Sequence, residues 1–200
     1  MDEIAAIVLA AGASTRMGKQ KLLMPFKGKT IIETVIRNIE PVLNDNILVV
    51  LGSHRREIKK QIGNLPVKFC INENYLDGML SSVICGFMNL PETIKAVLIF
   101  LGDQPQIPAS ATEKVILAWK QTGKGIIIPV ADGRRGHPVL IEMKYKSEIL
   151  KLDPEKGLRD LMIKFKDDVY EAEYNFPEIL RDIDTPEDYS FEINLKNQTI

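Results

Sequence analysis

Five cations, Arg16, Lys19, Lys21, Lys27 and Lys29, fall in one stretch that contains no Asp or Glu before Glu33. The stretch begins behind an apolar run, Ile4 to Leu9, and carries Gly12 and Gly18. The formal charge of the chain is only −1, so this local excess needs a local cause. Glycines let backbone N–H groups approach anionic oxygens while Arg and Lys neutralise them, so the pattern predicts a polyphosphate cradle. Arg16 and Lys21 are the cations placed to reach β and γ phosphates. For any single lysine a solvated basic turn is the simpler account. The whole pattern, set behind a first strand, is what favours phosphate. The stretch is neither GxxxxGK[ST] nor GxGxxG, so the P-loop and dinucleotide fingerprints find no support.

Acids stand elsewhere in the chain. Asp103 follows the apolar run Val97–Leu101, where a carboxylate would sit near the ligand edge of a parallel sheet. A turn or helix cap is the simpler role for such an Asp. Beside a phosphate loop, Mg²⁺ becomes the better reading, because it takes carboxylate oxygens and keeps waters and substrate phosphates around it. Asp182 and Asp184 flank Ile183, and in an extended segment both carboxylates point to one side. They could instead serve a helix dipole, but Thr185 already supplies that cap. Gly78-Met79-Leu80-Ser81-Ser82 precedes a helical pattern, where Ser81 or Ser82 can act as N-cap. Arg134-Arg135-Gly136-His137 is a basic, glycine-flexed loop suited to a second anion. A lone His beside Pro is more often structural than catalytic, and His54, at a helix start, reads as a surface residue. No HExxH, zinc spacing or Ser-His-Asp order is present.

Alternating elements must hold these residues. Ile4–Leu9, Ile47–Leu51, Lys68–Ile71, Ala96–Leu101 and Gly125–Val130 read as strands. Ile31–Leu43, Arg55–Ile62, Leu80–Leu90 and Ala111–Gln121 read as helices. Thr30 with Glu33, and Ser110 with Glu113, have capping-box spacing. Thr185-Pro186 followed by Glu187 and Asp188 starts a last helix. Such alternation implies right-handed βαβ units and an α/β fold whose largely parallel sheet is covered on both faces. After Val130 the pattern changes: a polar turn leads to a strand at Pro138–Glu142, expected as a hairpin or loop-bearing excursion. Gly157–Lys164 reads as helix and Val169–Glu173 as strand.

Bulk properties narrow the classes. Two hundred residues, 45% of them hydrophobic, suit one domain over 1–200, with a core at about 4–190 and a tail, 191–200, that frays. Near-neutral charge argues against a nucleic-acid or membrane-surface partner. Cys70 and Cys85 lack CxxC spacing and sit in apolar contexts, so two buried free thiols are expected. With no secretory leader and no apolar run near the ~20 residues of a membrane span, a soluble cytoplasmic protein is expected.

Leu9-Ala10-Ala11-Gly12, Ser14, Arg16-Met17-Gly18 and Lys21 fit the pattern L-A-A-G-x-S-x-R-M-G-x-x-K. At these residues the chain resembles the nucleotidyltransferases that include the molybdenum-cofactor enzymes. Gly78–Ser82, Gly102-Asp103-Gln104-Pro105, Gly136-His137-Pro138-Val139 and Asp182-Ile183-Asp184-Thr185-Pro186 extend the likeness over roughly residues 4–190. Together they look most like the cytidylyltransferase branch.

The resemblance implies a three-layer α/β/α Rossmann-like nucleotidyltransferase fold with a mostly parallel mixed sheet. It implies transfer of CMP from CTP, or another NTP, to the phosphate of molybdopterin or molybdenum cofactor, with release of pyrophosphate. Mg²⁺, or Mn²⁺ in its place, would be held by Asp103 and Asp184, with Asp184 favoured over Asp182. Arg16 and Lys21 would serve the triphosphate. Leu9, Ala10, Ala11, Gly12, Gly78, Met79, Ser81 and Ser82 would hold the nucleotide. Gln104, Pro105, Gly136, His137 and Pro138 would bind the acceptor. A molybdoenzyme of the xanthine dehydrogenase type would receive the product. Guanylyltransferase relatives carry Leu-Ala-Gly-Gly in the first motif, so Ala11 suggests a pyrimidine, cytosine above uracil. Two alternatives stay open: a nucleotidyltransferase for another phosphorylated small molecule, such as a sugar phosphate or methylerythritol phosphate, and a non-catalytic carrier of the cofactor. The Gly102–Pro105 and Gly136–Pro138 motifs weigh against the first, and the metal-type acids against the second.

Overall fold

The computed structural model describes residues 3–14 and 17–195. In chain order its strands are β1 (Ile4–Ala10), β2 (Pro25–Phe26), β3 (Lys29–Thr30), β4 (Ile47–Leu51), β5 (Lys68–Ile71), β6 (Ala96–Leu101), β7 (Ile126–Ala131), β8 (Arg134–Arg135), β9 (Val139–Glu142) and β10 (Val169–Glu173). The helices are α1 (Ile31–Leu43), α2 (Arg55–Ile62), α3 (Met79–Met88), α4 (Ala109–Thr122), α5 (Lys146–Ile149), α6 (Leu158–Lys164) and α7 (Pro186–Asn194).

Continuous apolar runs become the middle of an eight-stranded sheet, because a strand covered on both faces has no side left for polar residues. The order is β10-β7-β9-β6-β1-β4-β5, with β8 beside β7. β1 lies parallel to both β4 and β6, with Ala6 opposite Ile47 and Leu98. Side chains then alternate between faces. Ala6, Val8 and Ala10 pack with apolar residues of α1, α2 and α4, whereas Ala5 and Ile7 pack with those of α3, α5 and α6. The three-layer α/β arrangement expected from the sequence is the one observed.

The hairpin expectation after Val130 is half of the outcome. β7 does pair antiparallel with β8, but β9 leaves that hairpin and inserts between β7 and β6, antiparallel to both. Its fully buried Leu140 and Ile141 account for the move, since an edge position would leave them exposed. β2 and β3 form a separate small ribbon ahead of α1.

Caps differ in detail. The Thr30 hydroxyl accepts from Glu33 N at 3.3 Å, while the Glu33 carboxylate pairs with Arg37. The expected Ser110–Glu113 cap is absent: Pro108, extended, is the capping residue, α4 starts directly behind it, and Ser110 falls inside the first turn. Thr185 and Asp188 form a reciprocal capping box at α7, which runs on past Phe191 to Asn194. Residues 196–200 lie outside the described residues. Cys70 is buried and Cys85 only partly so, and both are free thiols with sulfurs 3.6 Å apart. Among the described residues no helix is long and apolar enough to cross a membrane.

Helix α3 lies close over β1 because Gly86 has no side chain. A Cβ there would come within 2.6–3.0 Å of three side-chain carbons of Ile7, which is fully buried. Gly86→Ala gains about 1 kcal/mol of helix propensity but overpacks a core with no room to relax, at a cost of about 1–3 kcal/mol. The expected net result is a lower urea midpoint with unchanged slope; a raised midpoint would reject the close contact.

Candidate active site

Every parallel strand that enters this sheet delivers its following loop to the same edge. Beyond the ends of β1 and β6 that edge opens into a cavity of about 400 Å³. Leu9, Ala10, Ala11 and Gly12 line it from the first strand. Gly78, Met79 and Ser82 line it from the start of α3, and Lys21, Asp103, Asp182 and Asp184 supply its charged groups.

Each of these is held by local chemistry. The basic loop is closed by Gln20, whose amide oxygen accepts from Ser14 Oγ (2.8 Å) and Leu22 N (3.2 Å) and whose Nε2 donates to Gly12 O (3.3 Å). This fixes Lys21 at the head of a short 3-10 turn, Lys21–Leu23. Gly102 N donates to Leu9 O at 3.0 Å, and a Cβ at Gly102 would sit 2.8 Å from that oxygen. Only glycine lets the two strand ends come this close, and Asp103 is carried to the first loop as a result. Ile183 is fully buried and its N–H donates to Asp103 O at 3.2 Å. With Ile183 turned into the core, both flanking carboxylates line the cavity, as an extended segment requires. The α7 capping box secures that segment from behind, since the Asp188 carboxylate also accepts from Asp184 N (3.1 Å).

The centre of the site is an ion cluster. Lys21 Nζ lies 2.5 Å from Asp103 Oδ2 and 2.7 Å from Asp184 Oδ1, all three side chains partly buried. Burial opposes the Lys21 charge, but the charges and hydrogen bonds of Asp103 and Asp184 outweigh it and hold its pKa above the ordinary lysine value. Asp182 accepts from Gln104 Nε2 at 2.6 Å. Burial, with the nearby charge of Asp103, pushes the Asp182 carboxyl above the usual carboxylate range, and the Gln104 bond only partly offsets this. Asp103 Oδ1 is buried without a hydrogen-bond partner among the described residues.

This donor set fits a hard divalent cation. Two carboxylate oxygens already converge on one positive centre, and a third buried oxygen awaits a partner. Among the described residues no group of three or more His, Cys, Asp or Glu is arranged to hold a metal by itself. The remainder of such an ion's shell would come from phosphate and water, which is the habit of Mg²⁺.

Other sequence expectations fall differently. Arg16 lies outside the described residues. Ser81 does not line this cavity but a second one, and neither serine caps α3, whose capping residue is Gly78 with no side-chain bond. Gln104, Pro105, Gly136, His137 and Pro138 do not line the cavity. Gln104 is 3% exposed and supports Asp182, while Pro105 O accepts from Asn38 Nδ2 at 2.9 Å. Gly136 N donates to Pro129 O and His137 N to Ile179 O. Because β9 runs antiparallel and sets Val139 opposite Ile99, the turn before it still reaches the edge where Asp103 stands. Tyr75 lines the cavity and was not among the sequence candidates. It lies in the loop behind β5, so the strand-end rule that found Asp103 points to that loop as well.

The fold, with its carboxyl-end cavity and its cluster of Lys21 with acids, is that of a nucleotidyltransferase. The model of the MobA-like NTP transferase domain matches residues 6–169, and the chain belongs to that family. It is 29% identical to the molybdenum cofactor cytidylyltransferase of Escherichia coli K12, over 94% of this chain and 95% of that one. It is 25% identical to the bifunctional protein GlmU of Francisella tularensis over 82% of this chain, which spans only 36% of GlmU. Among solved structures, Rv0371c of Mycobacterium tuberculosis superposes with a TM-score of 0.85 at 22% identity, covering 96% of this chain and 98% of that one. A complex of Rv0371c with manganese gives 0.80 at 21% identity, covering 96% and 99%.

His137 gives the site edge a pH dependence. Desolvation lowers its pKa to about 4, so the imidazole is neutral at pH 7. The unfolded chain takes up this proton near pH 6.5, whereas the folded protein resists it until about pH 4. Stability contributed by neutral His137 is therefore present above about pH 6.5 and lost as pH falls toward 4. In thermal melts the difference between the protein and His137→Gln should be constant above pH 6.5, and the protein should lose stability relative to the variant as pH falls from about 6.5 toward 4. Parallel curves across that range would refute the burial effect.

Proposed function

We propose that this nucleotidyltransferase moves CMP from CTP to the phosphate of the molybdopterin form of the molybdenum cofactor, giving a cytosine dinucleotide and pyrophosphate. The observation that carries this reading is the meeting of Lys21 with Asp103 and Asp184 inside the carboxyl-end cavity. The full-length likeness to the Escherichia coli enzyme supports cytidine and the cofactor as substrates. The resemblance of the Ala11 position to cytidylyltransferases rather than guanylyltransferases points the same way.

In the reaction an acceptor phosphate oxygen forms a bond to the α-phosphorus of CTP while the α–β bridging bond breaks in line. A phosphate monoester is largely dianionic near neutral pH, with a second pKa of about 6, so the acceptor needs no strong base. His137, neutral at pH 7, then serves as a hydrogen-bonding group for the acceptor, not as a cation. Lys21 neutralises charge growing on the leaving pyrophosphate from a position already inside the cavity. A magnesium or manganese ion held by Asp103 and Asp184 would supply further charge neutralisation on the triphosphate. Gln104 keeps Asp182 fixed beside these ligands, and the first-strand backbone and α3 orient the nucleoside. Catalysis is by positioning and electrostatics, with no covalent protein intermediate.

Purified protein incubated with Mg²⁺, extracted molybdenum cofactor and each common NTP in turn should release pyrophosphate with CTP and give the dinucleotide by mass. Binding without product would identify a carrier instead, and product only from another phosphorylated acceptor would replace the cofactor. Asp103→Ala should lower turnover on the order of a hundred-fold or more, as loss of a key electrostatic group does. Lys21→Ala should slow transfer and raise the Mg-nucleotide requirement. Near-normal turnover in either variant would remove that residue from the mechanism.

A further inference from the structure

Ser82 is only 4% exposed, yet it lines the nucleotide-sized cavity, so the direction of its hydroxyl hydrogen matters. That direction is set by Asn72, the residue just past β5, which is 5% exposed. Asn72 Oδ1 accepts from Asn74 N at 3.0 Å. Its Nδ2 donates to Ser81 Oγ at 2.8 Å and to Ser82 Oγ at 3.0 Å. All the amide's hydrogens are used, and the backbone N–H on Oδ1 forbids a flipped amide, which would set donor against donor. The two serines then differ. Ser81 hands its own hydrogen to Asn74 O (2.9 Å) or Gly78 O (2.8 Å) and is closed within the loop. Ser82 has accepted from Asn72, and among the described residues nothing receives its hydrogen.

From this geometry we infer that Asn72 is a positioning residue for nucleotide choice: it fixes Ser82 as a hydrogen-bond donor toward the cavity. A base seated there must present a carbonyl oxygen or an unprotonated ring nitrogen to Ser82. For cytosine that is O2 or N3. The inference rests on the cavity's being the nucleotide site, and it assigns to Asn72 a role that no motif of the first loop carries.

The test begins with the unaltered protein, ranking all four NTPs with Mg²⁺ by calorimetry without acceptor, and by KM and kcat with it. This ranking judges the CTP reading alone. If another nucleotide wins, that reading fails and the next arm is run with the winner. Asn72→Asp offers Ser82 a carboxylate, which takes its hydrogen and turns its lone pairs toward the base. The preferred nucleotide should then bind about 3–10-fold more weakly, the worth of one hydrogen bond, with KM raised and kcat little changed. Ser82→Ala should give a similar loss, and the double variant should be no worse than Asn72→Asp alone. If Asn72→Asp does not fold, Asn72→Leu frees Ser82 to turn either way, and the ratio between the best and second-best nucleotide should shrink several-fold. Unchanged affinity, a fall in kcat at constant KM, additive losses in the double variant, or an unchanged ratio in Asn72→Leu would each overturn the inference.

Discussion

An ammonium group held between two carboxylates ties together parts of the chain that are 82 and 163 residues apart. In a partly buried setting none of these charges is stable alone, because the cost of losing water is met only by the opposite charge beside it. Lys21, Asp103 and Asp184 therefore specify where three loops end. The supports around them serve that one requirement. Gly102 closes the gap between β1 and β6, Ile183 anchors its two flanking acids in the core, and Gln20 closes the first loop. One ammonium faces two carboxylates, so the cluster keeps an excess of negative charge, and the same negative surroundings help hold the neighbouring Asp182 carboxyl above its usual range. Such an excess is a structural burden in a protein that only has to fold, and an asset in one that must receive a cation bound to phosphates.

The sequence carried much of the large sheet with little loss. β4, β5, β6 and β10, with α1 and α2, have the limits read from the sequence. Short elements were invisible. The β2–β3 ribbon, α5 and the 3-10 turns are too brief to show a period, and their shape is decided by the neighbours they pack against. The fate of β9 could not be read either, since insertion between two strands and addition at an edge look alike in four residues.

The same contrast runs through the site. Lys21 and Asp103 stood out because charge behind an apolar strand end is unusual, whereas Asp184 was singled out by its alternation with Asp182 around Ile183 and by the resemblance. Asn72 stands in an equivalent place behind β5, but a neutral amide in a loop carries no such signal, and its value appears only once its hydrogens are assigned. Gln104 was read for this neighbourhood, and what the sequence did not show is that its amide donates to Asp182. A motif reports that residues stay together, not which of them is exposed.

The reversed direction of β9 has a consequence for how such a protein can change. In a sheet of uniform direction the ligand edge receives only chain leaving a strand. Here one segment arrives at that edge on its way into a strand, with the turn from Asp132 to Pro138 as its approach. Only its first part, Asp132–Arg135, is exposed, whereas Gly136 and Pro138 are buried and the backbone of Gly136 and His137 is tied to Pro129 and Ile179. Charge can therefore be changed on the outer part of the arc while its inner part stays fixed against the sheet.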